Sequence, residues 1–429
     1  MHDYRSTSIE LIRKHRLPKV DFSKEFIFPH YQGLSIYNLP ASIFHWLCVE
    51  PLSSPALQSS ILQNLLPTYS HIILLVVDSL GSNLFDPYME RILNDGQKSP
   101  WHTLLEDAVI TCLTSISPST TAAALTSLWT GRQPIEHGII GYELWLKEYS
   151  ALVNMITHSI VAFSNQSGHL AHAGFQPQNF LSVPTLTSIL NTHGVKVSTI
   201  QHSTIYNSGL STMLYTSAAA LPYSSYTELW TTLYDLLASS DGKTLTYIYW
   251  GDLDTLSHRF GPNDDIVRQE WDTFASLLVQ CLLRLHHIKK EKTLFLLTAD
   301  HGQIPTPKKS EFDLRQHPKL LRMLIMPPSG EGRMPYLFIH YNQADAVREY
   351  LAQHWGDTFM LLTANDFQTS GLLGDAQPHT AIQDRTGDFI VIPRENAYWW
   401  WANKENPLLG RHGGLLAEEM LVPLLAIPL

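Results

Sequence analysis

The chain has 429 residues, room for one large α/β domain with an insertion or for two ordinary domains. Hydrophobic residues make up 44% of it and charged residues 16%, with no low-complexity tract, which excludes a disordered chain. The net charge of -10 speaks against a nucleic-acid groove, because phosphate-backbone binding needs clustered Lys and Arg.

The opening stretch MHDYRSTSIELIRKHRLPKV lacks the apolar centre of a signal peptide, and no segment has the roughly 18 unbroken apolar residues of a membrane span. The expectation is a cytoplasmic protein with no membrane partner. Cys48, Cys112 and Cys281 are odd in number and far apart, so neither a disulfide framework nor a thiolate metal cluster is indicated. Any metal must be held by nitrogen and oxygen. The one basic run, Lys289-Lys290-Glu291-Lys292, reads as a solvated helix end.

In chain order, residues 72–77 form an apolar, β-branched run that ends at Asp78, Ser79 and Gly81, the pattern of a buried parallel strand followed by a turn. The segment SISPSTTAAALTSLWTG predicts a turn at Pro118 and a helix from Thr121 closed by Gly131, with Ser119 or Thr120 as N-cap. A strand over 197–200 leads to His202, Ser203, Tyr206 and Asn207, which are candidates for lining a crevice. Apolar spacing of three and four predicts helices over 226–238 and 264–287. Between and after them, strands over 245–250 and 293–298 run into Gly251-Asp252-Leu253-Asp254 and Ala299-Asp300-His301-Gly302. Three strands thus stop at aspartates, which converge on one crevice if the strands are neighbours.

The texture changes between about 311 and 386. A loop is expected over 327–332, a strand over 336–340 and an amphipathic helix over 344–354. A strand over 388–392 follows, and GRHGGLLAEEMLVPLL returns the chain to the core. The expected fold is α/β: a doubly wound, mostly parallel sheet with helices on both faces, formed by 1–310 and 387–429, and a small inserted α+β cap over 311–386.

Asp254 and His258 stand four apart, which puts both side chains on one face of a helical turn and within reach of one ion. An isolated pair of this kind also describes a surface pair or a cap. Asp300 and His301 are adjacent and diverge in an extended strand, so joint ligation requires the chain to curl, which Gly302 eases. His412 lies among Gly410, Gly413 and Gly414, which equally fits an exposed glycine-rich turn. The Thr121 hydroxyl at a helix start meets free amides and the positive dipole end, a setting for phosphate oxygens. It needs activation to attack, and without a G-x-S-x-G elbow the better candidate is a metal. Trp145, Trp399, Trp400 and Trp401 are read as packing or interface residues before any stacking role.

Taken together these motifs resemble the alkaline phosphatase superfamily, most closely its type I phosphodiesterase and nucleotide pyrophosphatase branch. The ordered motifs are Asp78, Pro118-Ser119-Thr120-Thr121 before Thr130-Gly131, Pro134-x-x-His137-Gly138, Asp254-x-x-x-His258-x-x-Gly261-Pro262, Asp300-His301-Gly302 and His412-Gly413. The resemblance implies that Asp78, Asp300, His301 and Thr121 surround one divalent metal, and that Asp254, His258 and His412 hold a second. The donor set suits zinc, with manganese as an alternative. Two cations roughly 4 Å apart would clamp the attacking and leaving oxygens of an in-line displacement, with Thr121 transiently phosphorylated.

One position departs from the branch. Where its members place an asparagine that grips a phosphate oxygen, this chain has Tyr142, a substrate-binding candidate of different length, and no monoesterase-type arginine stands there. The C/S-x-P-x-R motif of sulfatases is absent. The implied function is a metal-dependent phosphohydrolase of small-molecule phosphodiesters or pyrophosphates, nucleotides included. Alternatives on the same site are a phosphomonoesterase, phosphonate hydrolase or phosphomutase; one of another class is a non-catalytic metal-binding regulatory protein.

Overall fold

The computed structural model describes residues 1–94, 99–163, 166–288 and 292–429. Lys289, Lys290 and Glu291 of the basic run lie outside them. Seventeen strands follow one another among the described residues: β1 (His2–Asp3), β2 (His71–Val77), β3 (Val109–Thr114), β4 (Glu143–Leu146), β5 (Ala151–Asn154), β6 (Ser159–Ile160), β7 (Lys196–His202), β8 (Ala219–Tyr223), β9 (Thr244–Trp250), β10 (Thr293–Thr298), β11 (Ile304–Pro305), β12 (Ser329–Glu331), β13 (Met334–Leu337), β14 (Phe359–Thr363), β15 (Phe389–Pro393), β16 (Gly410–Arg411) and β17 (Leu421–Pro428).

Eight of them form the central sheet in the order β1-β3-β17-β10-β2-β9-β7-β8. All neighbours run parallel except β17, which lies antiparallel between β10 and β3. Every residue of β2, β9 and β10 is buried, as expected of strands covered on both faces. The three strands that end at aspartates are neighbours: β2 lies between β10 and β9, with Val76 opposite Thr298 and Val77 opposite Trp250. This register brings Asp78, Asp254 and Asp300 to one end of the sheet, where open α/β sheets bind ligands.

The predicted helices form as Tyr226–Ser239 and Asp265–Ile288. On the second of these, Phe274 stacks on Trp250 of β9 with ring centroids 3.7 Å apart, fixing the helix against the sheet. Among the described residues, no helix is long and apolar enough to cross a membrane.

A second, antiparallel sheet has the order β14-β15-β13-β12-β4-β5-β6. It extends beyond 311–386: β4, β5 and β6 come from earlier in the chain, and β15 follows the insert rather than returning directly to the central sheet. The 327–332 segment, expected as a loop, contains β12, which pairs with β13 and β4. Its glycines hid the strand by removing the side-chain alternation. Gly330 is nevertheless required there, with φ +85 and the Met334 carbonyl only 2.5 Å from where a Cβ would stand. The insert helix forms as Ala344–Trp355 and packs into a separate apolar cluster with Phe359, Val391 and Trp399. Trp399 sits 5.3 Å from both Trp355 and Phe359, the packing role expected of it.

Candidate active site

The helix Thr121–Thr130 follows β3 through a short loop and ends at Gly131 in the left-handed conformation, as its sequence predicts. Thr120 is the N-cap residue, but its hydroxyl does not cap. It donates instead to Glu331 Oε1 at the end of β12. Ser119 donates to the Gly414 carbonyl 2.8 Å away, so both cap candidates tie the helix start to distant segments. Thr121 is left with its Oγ1 facing His301 Nε2 at 3.0 Å.

The six expected metal-binding side chains other than Thr121 converge here. Asp254, His258 and His412 offer ligand atoms within 4.8 Å of one another, and Asp78, Asp254 and His301 form a second such group. Asp254 therefore stands in both groups, a sharing that the sequence did not indicate. Asp300 joins from the side, its Oδ2 3.6 Å from His301 Nε2. The helical pair behaves as its spacing predicts, with His258 Nε2 3.4 Å from Asp254 Oδ1 in the helix Asp252–Phe260.

The three histidines share one arrangement. His258 Nδ1 faces the Gly410 carbonyl at 2.9 Å, His301 Nδ1 the Gly302 carbonyl at 3.1 Å, and His412 Nδ1 the Ser119 carbonyl at 3.0 Å. A carbonyl only accepts, so each Nδ1 carries the proton and each Nε2 turns its lone pair into the site. Backbone-anchored imidazoles of this kind are how proteins orient metal ligands. The His301 and His412 rings lie parallel, 3.7 Å between centroids.

The carboxylates tell the same story from the acceptor side. Asp78 Oδ1 and Asp300 Oδ2 are buried without a hydrogen-bond partner among the described residues. Burial, and after it the Asp254 and Asp300 charges, holds Asp78 well above the carboxylate range. Burial pushes Asp300 up to about 7, partly offset by the Ser79 amide. Burial also opposes the charge of Asp254, but His258, His412, His301 and Gln303 outweigh it and lower its pKa. His301 is brought down to about 4 by burial. Orphaned carboxylate oxygens beside imidazole Nε2 atoms turned into the same pocket form a nitrogen and oxygen donor set that divalent cations fit.

Close backbone contact builds the site. At Gly302 a Cβ would stand 2.1 Å from the Glu418 carbonyl and 2.9 Å from Gly81 Cα, so glycine is needed for the loops after β2 and β10 to pack, more than for the curl itself. Ser79 adopts φ 63, which lets its amide reach Asp300 Oδ1 at 3.2 Å. The short pairing of β11 with β16 brings His412 alongside Gln303.

Sequence reasoning missed four supporting residues. Tyr249 donates to Asp78 Oδ2, and Gln303 Nε2 to Asp254 Oδ1. Glu331 Oε1 accepts from both Thr120 Oγ1 and the Tyr142 amide, the latter at 3.0 Å. Buried Glu419 accepts from Arg333 at 3.1 and 2.8 Å and from the Gly414 amide at 2.8 Å, bracing the turn after His412. Tyr249 was visible only as strand alternation with Tyr247, and the others carried no local signal.

Tyr142 is 40% exposed, and its phenol lies beside the Asn154 side chain. That amide oxygen is engaged by the amides of Ile156 and Thr157 at 2.9 and 3.0 Å. His202 bonds within its own loop to Thr204, and Ser203 accepts from Ser224, so the interactions of these two crevice candidates lie away from Thr121. Trp401 donates to Glu143 and Trp400 to the Lys404 carbonyl.

Residues 72–415 match the family described as type I phosphodiesterase / nucleotide pyrophosphatase. The chain belongs to that family. It is a hydrolase of phosphoric ester or anhydride bonds. No curated protein matches its sequence closely enough to count as a relative. Among solved structures, murine ectonucleotide pyrophosphatase / phosphodiesterase 5 shares 16% identity with a TM-score of 0.58, over 82% of this chain and 87% of that one. Phosphonoacetate hydrolase from Sinorhizobium meliloti 1021, in complex with phosphonoformate, shares 16% with a TM-score of 0.59, over 84% and 90%. The human ectonucleotide pyrophosphatase / phosphodiesterase 5 shares 15% with a TM-score of 0.56, over 82% and 87%. These likenesses establish the alkaline phosphatase-like fold.

Proposed function

We propose that this member of the family cleaves small-molecule phosphodiesters or pyrophosphates with Thr121 as nucleophile. The observation that carries the reading is the convergence of three Nε2 atoms, the buried Asp78 and Asp300 and the half-buried Asp254 around the Thr121 hydroxyl. Asp78, Asp300 and His301, with Thr121, would hold one divalent ion, and Asp254, His258 and His412 the other. The inner placement of Asp254 lets it serve both. Zinc is the ion the nitrogen and oxygen donors favour, with manganese as the alternative. When bound, the ions supply Lewis-acid charge that favours the ionised Thr121 hydroxyl and neutralises the phosphate oxygens.

The chain's own residues supply position. The Thr120 bond to Glu331 and the Ser119 bond to Gly414 fix the start of the helix, so Thr121 Oγ1 is presented without searching. Thr121 Oγ, its proton released to solvent, forms a bond to phosphorus as the bond to the leaving-group oxygen breaks on the opposite side and that oxygen takes up a proton from solvent, giving a phosphothreonine. Water then attacks phosphorus and returns the hydroxyl to Thr121. The helix N-terminus adds partial positive charge toward the phosphate oxygens.

Two arginines close to the site, Arg411 and Arg333, are bound to other partners, which favours a diester over a monoester. Arg411 donates to Thr306, Leu408 and Asn406, and Arg333 to Glu419 and Ala397, so both are committed elsewhere. Neither offers its charge to a monoester's second negative charge. A nucleotide is one fitting substrate: the murine phosphodiesterase 5, as an inactive variant, has been seen in complex with AMP. Three free cysteines accord with cytoplasmic residence, and residues 311–386, through Glu331, act as a cap that contributes to the site. Rates on bis-p-nitrophenyl phosphate and p-nitrophenyl phosphate measured side by side test the ester class. At least about tenfold preference for the diester is expected; a monoester preference would reverse the assignment.

A further inference from the structure

A cavity of about 520 Å³ opens apart from the Thr121 site, lined among others by Arg385, His379, Phe180, Tyr149, Asn179 and Gln176. Two charged residues line it, Glu148 at the exposed rim and Arg385 within. Arg385 is 2% exposed, yet its guanidinium makes one direct hydrogen bond, from Nη1 to the Gly138 carbonyl at 2.6 Å. Its Nε has no partner among the described residues. The nearest carboxylate, Glu148, stands 4.0 Å from Nη2 with its side chain 45% exposed, while Asp384 is taken by Lys147 at 3.0 Å. A buried guanidinium offers five donors, and leaving most of them unmatched is costly unless an anion arrives.

The rest of the cavity is complementary to more than bare charge. Arg385 lies over the Phe180 ring at 5.2 Å, and the lining rings Phe180 and Tyr149 are both backed by the buried Phe175, with centroids 5.0 and 5.5 Å from it. His379 Nδ1 accepts from the Ala381 amide at 3.1 Å, which puts its proton on Nε2 as a further donor. We propose that this cavity is a second binding site, for an organic anion with a flat aromatic body, whose acidic group pairs with Arg385 while its ring lies against Phe180 and Tyr149. The site does not depend on the assignment of Thr121.

Its position gives it a route to the catalytic crevice. Arg385 and His379 press on Gly138, where a Cβ would stand 2.6 Å from Arg385 Nη1 and 2.9 Å from His379 Cγ. Four residues later the same segment reaches Tyr142, whose amide bonds Glu331.

The test uses the full-length, metal-loaded protein and calorimetric titration with 2-naphthoate, with neutral 2-naphthalenemethanol and with acetate. Saturable 2-naphthoate binding is expected, at least about tenfold tighter than either of the others, because both the charge and the ring contribute. Arg385→Gln should weaken it at least about tenfold. Phe180→Ala, at a half-buried position, should do so as well and leave diester hydrolysis intact, which also reports that the variant is folded. The KM for the diester should not rise competitively with 2-naphthoate. Absence of saturable binding at millimolar concentration, equal affinity in Phe180→Ala and the parent, or simple competition with the diester would each overturn the proposal.

Discussion

The Thr121 hydroxyl donates to Nε2 of His301 across 3.0 Å, the same nitrogen that lies 3.5 Å from Asp78 Oδ1 and 3.6 Å from Asp300 Oδ2. The His301 Nδ1 proton is committed to the Gly302 carbonyl, so Nε2 can only accept. The prospective nucleophile is thus held by a prospective ligand rather than by a base of ordinary strength, since burial lowers His301 to about 4. Replacing Thr121 by Ala is expected to lower kcat for diester hydrolysis by at least about a thousandfold, with metal still retained through Asp78, Asp300 and His301 when measured by elemental analysis. Full activity in Thr121→Ala would transfer the attack to water.

Asp254 contributes to both ligand groups, which makes it the residue whose loss should empty the most. Asp254→Asn should reduce the metal content below that of His258→Ala, and chelator should abolish hydrolysis in the parent. Tyr249→Phe and Gln303→Ala remove donors that orient Asp78 and Asp254, and about 10–100-fold weaker metal affinity is expected of each. Competition with a chromophoric chelator reads these values directly.

Glu331 joins the cap to the nucleophile, accepting from Thr120 Oγ1 and from the Tyr142 amide with one oxygen. Burial pushes this carboxyl up to about 8. Glu331→Ala should leave both donors unmatched and lower kcat/KM for the diester about tenfold, the cost of roughly 1–3 kcal/mol for a lost buried acceptor. Glu331→Gln keeps an acceptor oxygen and should recover most of that loss. Steady-state kinetics on the two variants separates hydrogen bonding from mere packing.

His137 is 1% exposed, its Nδ1 accepting from the Ile139 amide and its Nε2 donating to Ser127. Burial, with smaller effects from His379 and Arg385, lowers it to about 3. The unfolded chain binds this proton from about pH 6.5 downward and the folded chain does not, so the stabilisation is complete above pH 6.5 and is lost as the pH falls toward 3. Over that range the change is on the order of 5 kcal/mol. Urea denaturation at several pH values should show stability falling with acid, and His137→Gln should flatten the slope.

The fold class and the chain order of the site were legible locally. Continuous apolar runs gave β2, β9 and β10, because strands buried on both faces need no polar alternation, and each run visibly stopped at its aspartate. The helix ending at Gly131 was readable from the left-handed residue that closes it. The strand β12 was not, since its glycine erases the pattern that identifies a strand. Nor was the extent of the antiparallel sheet, whose strands are gathered from 143–160 and 329–393.

By itself the sequence picked out the candidate metal ligands and the candidate hydroxyl, because those readings depend on residue type and on strand and helix ends. Only the tertiary structure decided that Asp254 serves two groups, that Glu331 arrives from the cap and that Arg385 lies buried with unmatched donors. Such relations are set by the register of β2 against β9 and β10 and by the pairing of β12 with β4. They join residues far apart in the chain, and no local propensity encodes them.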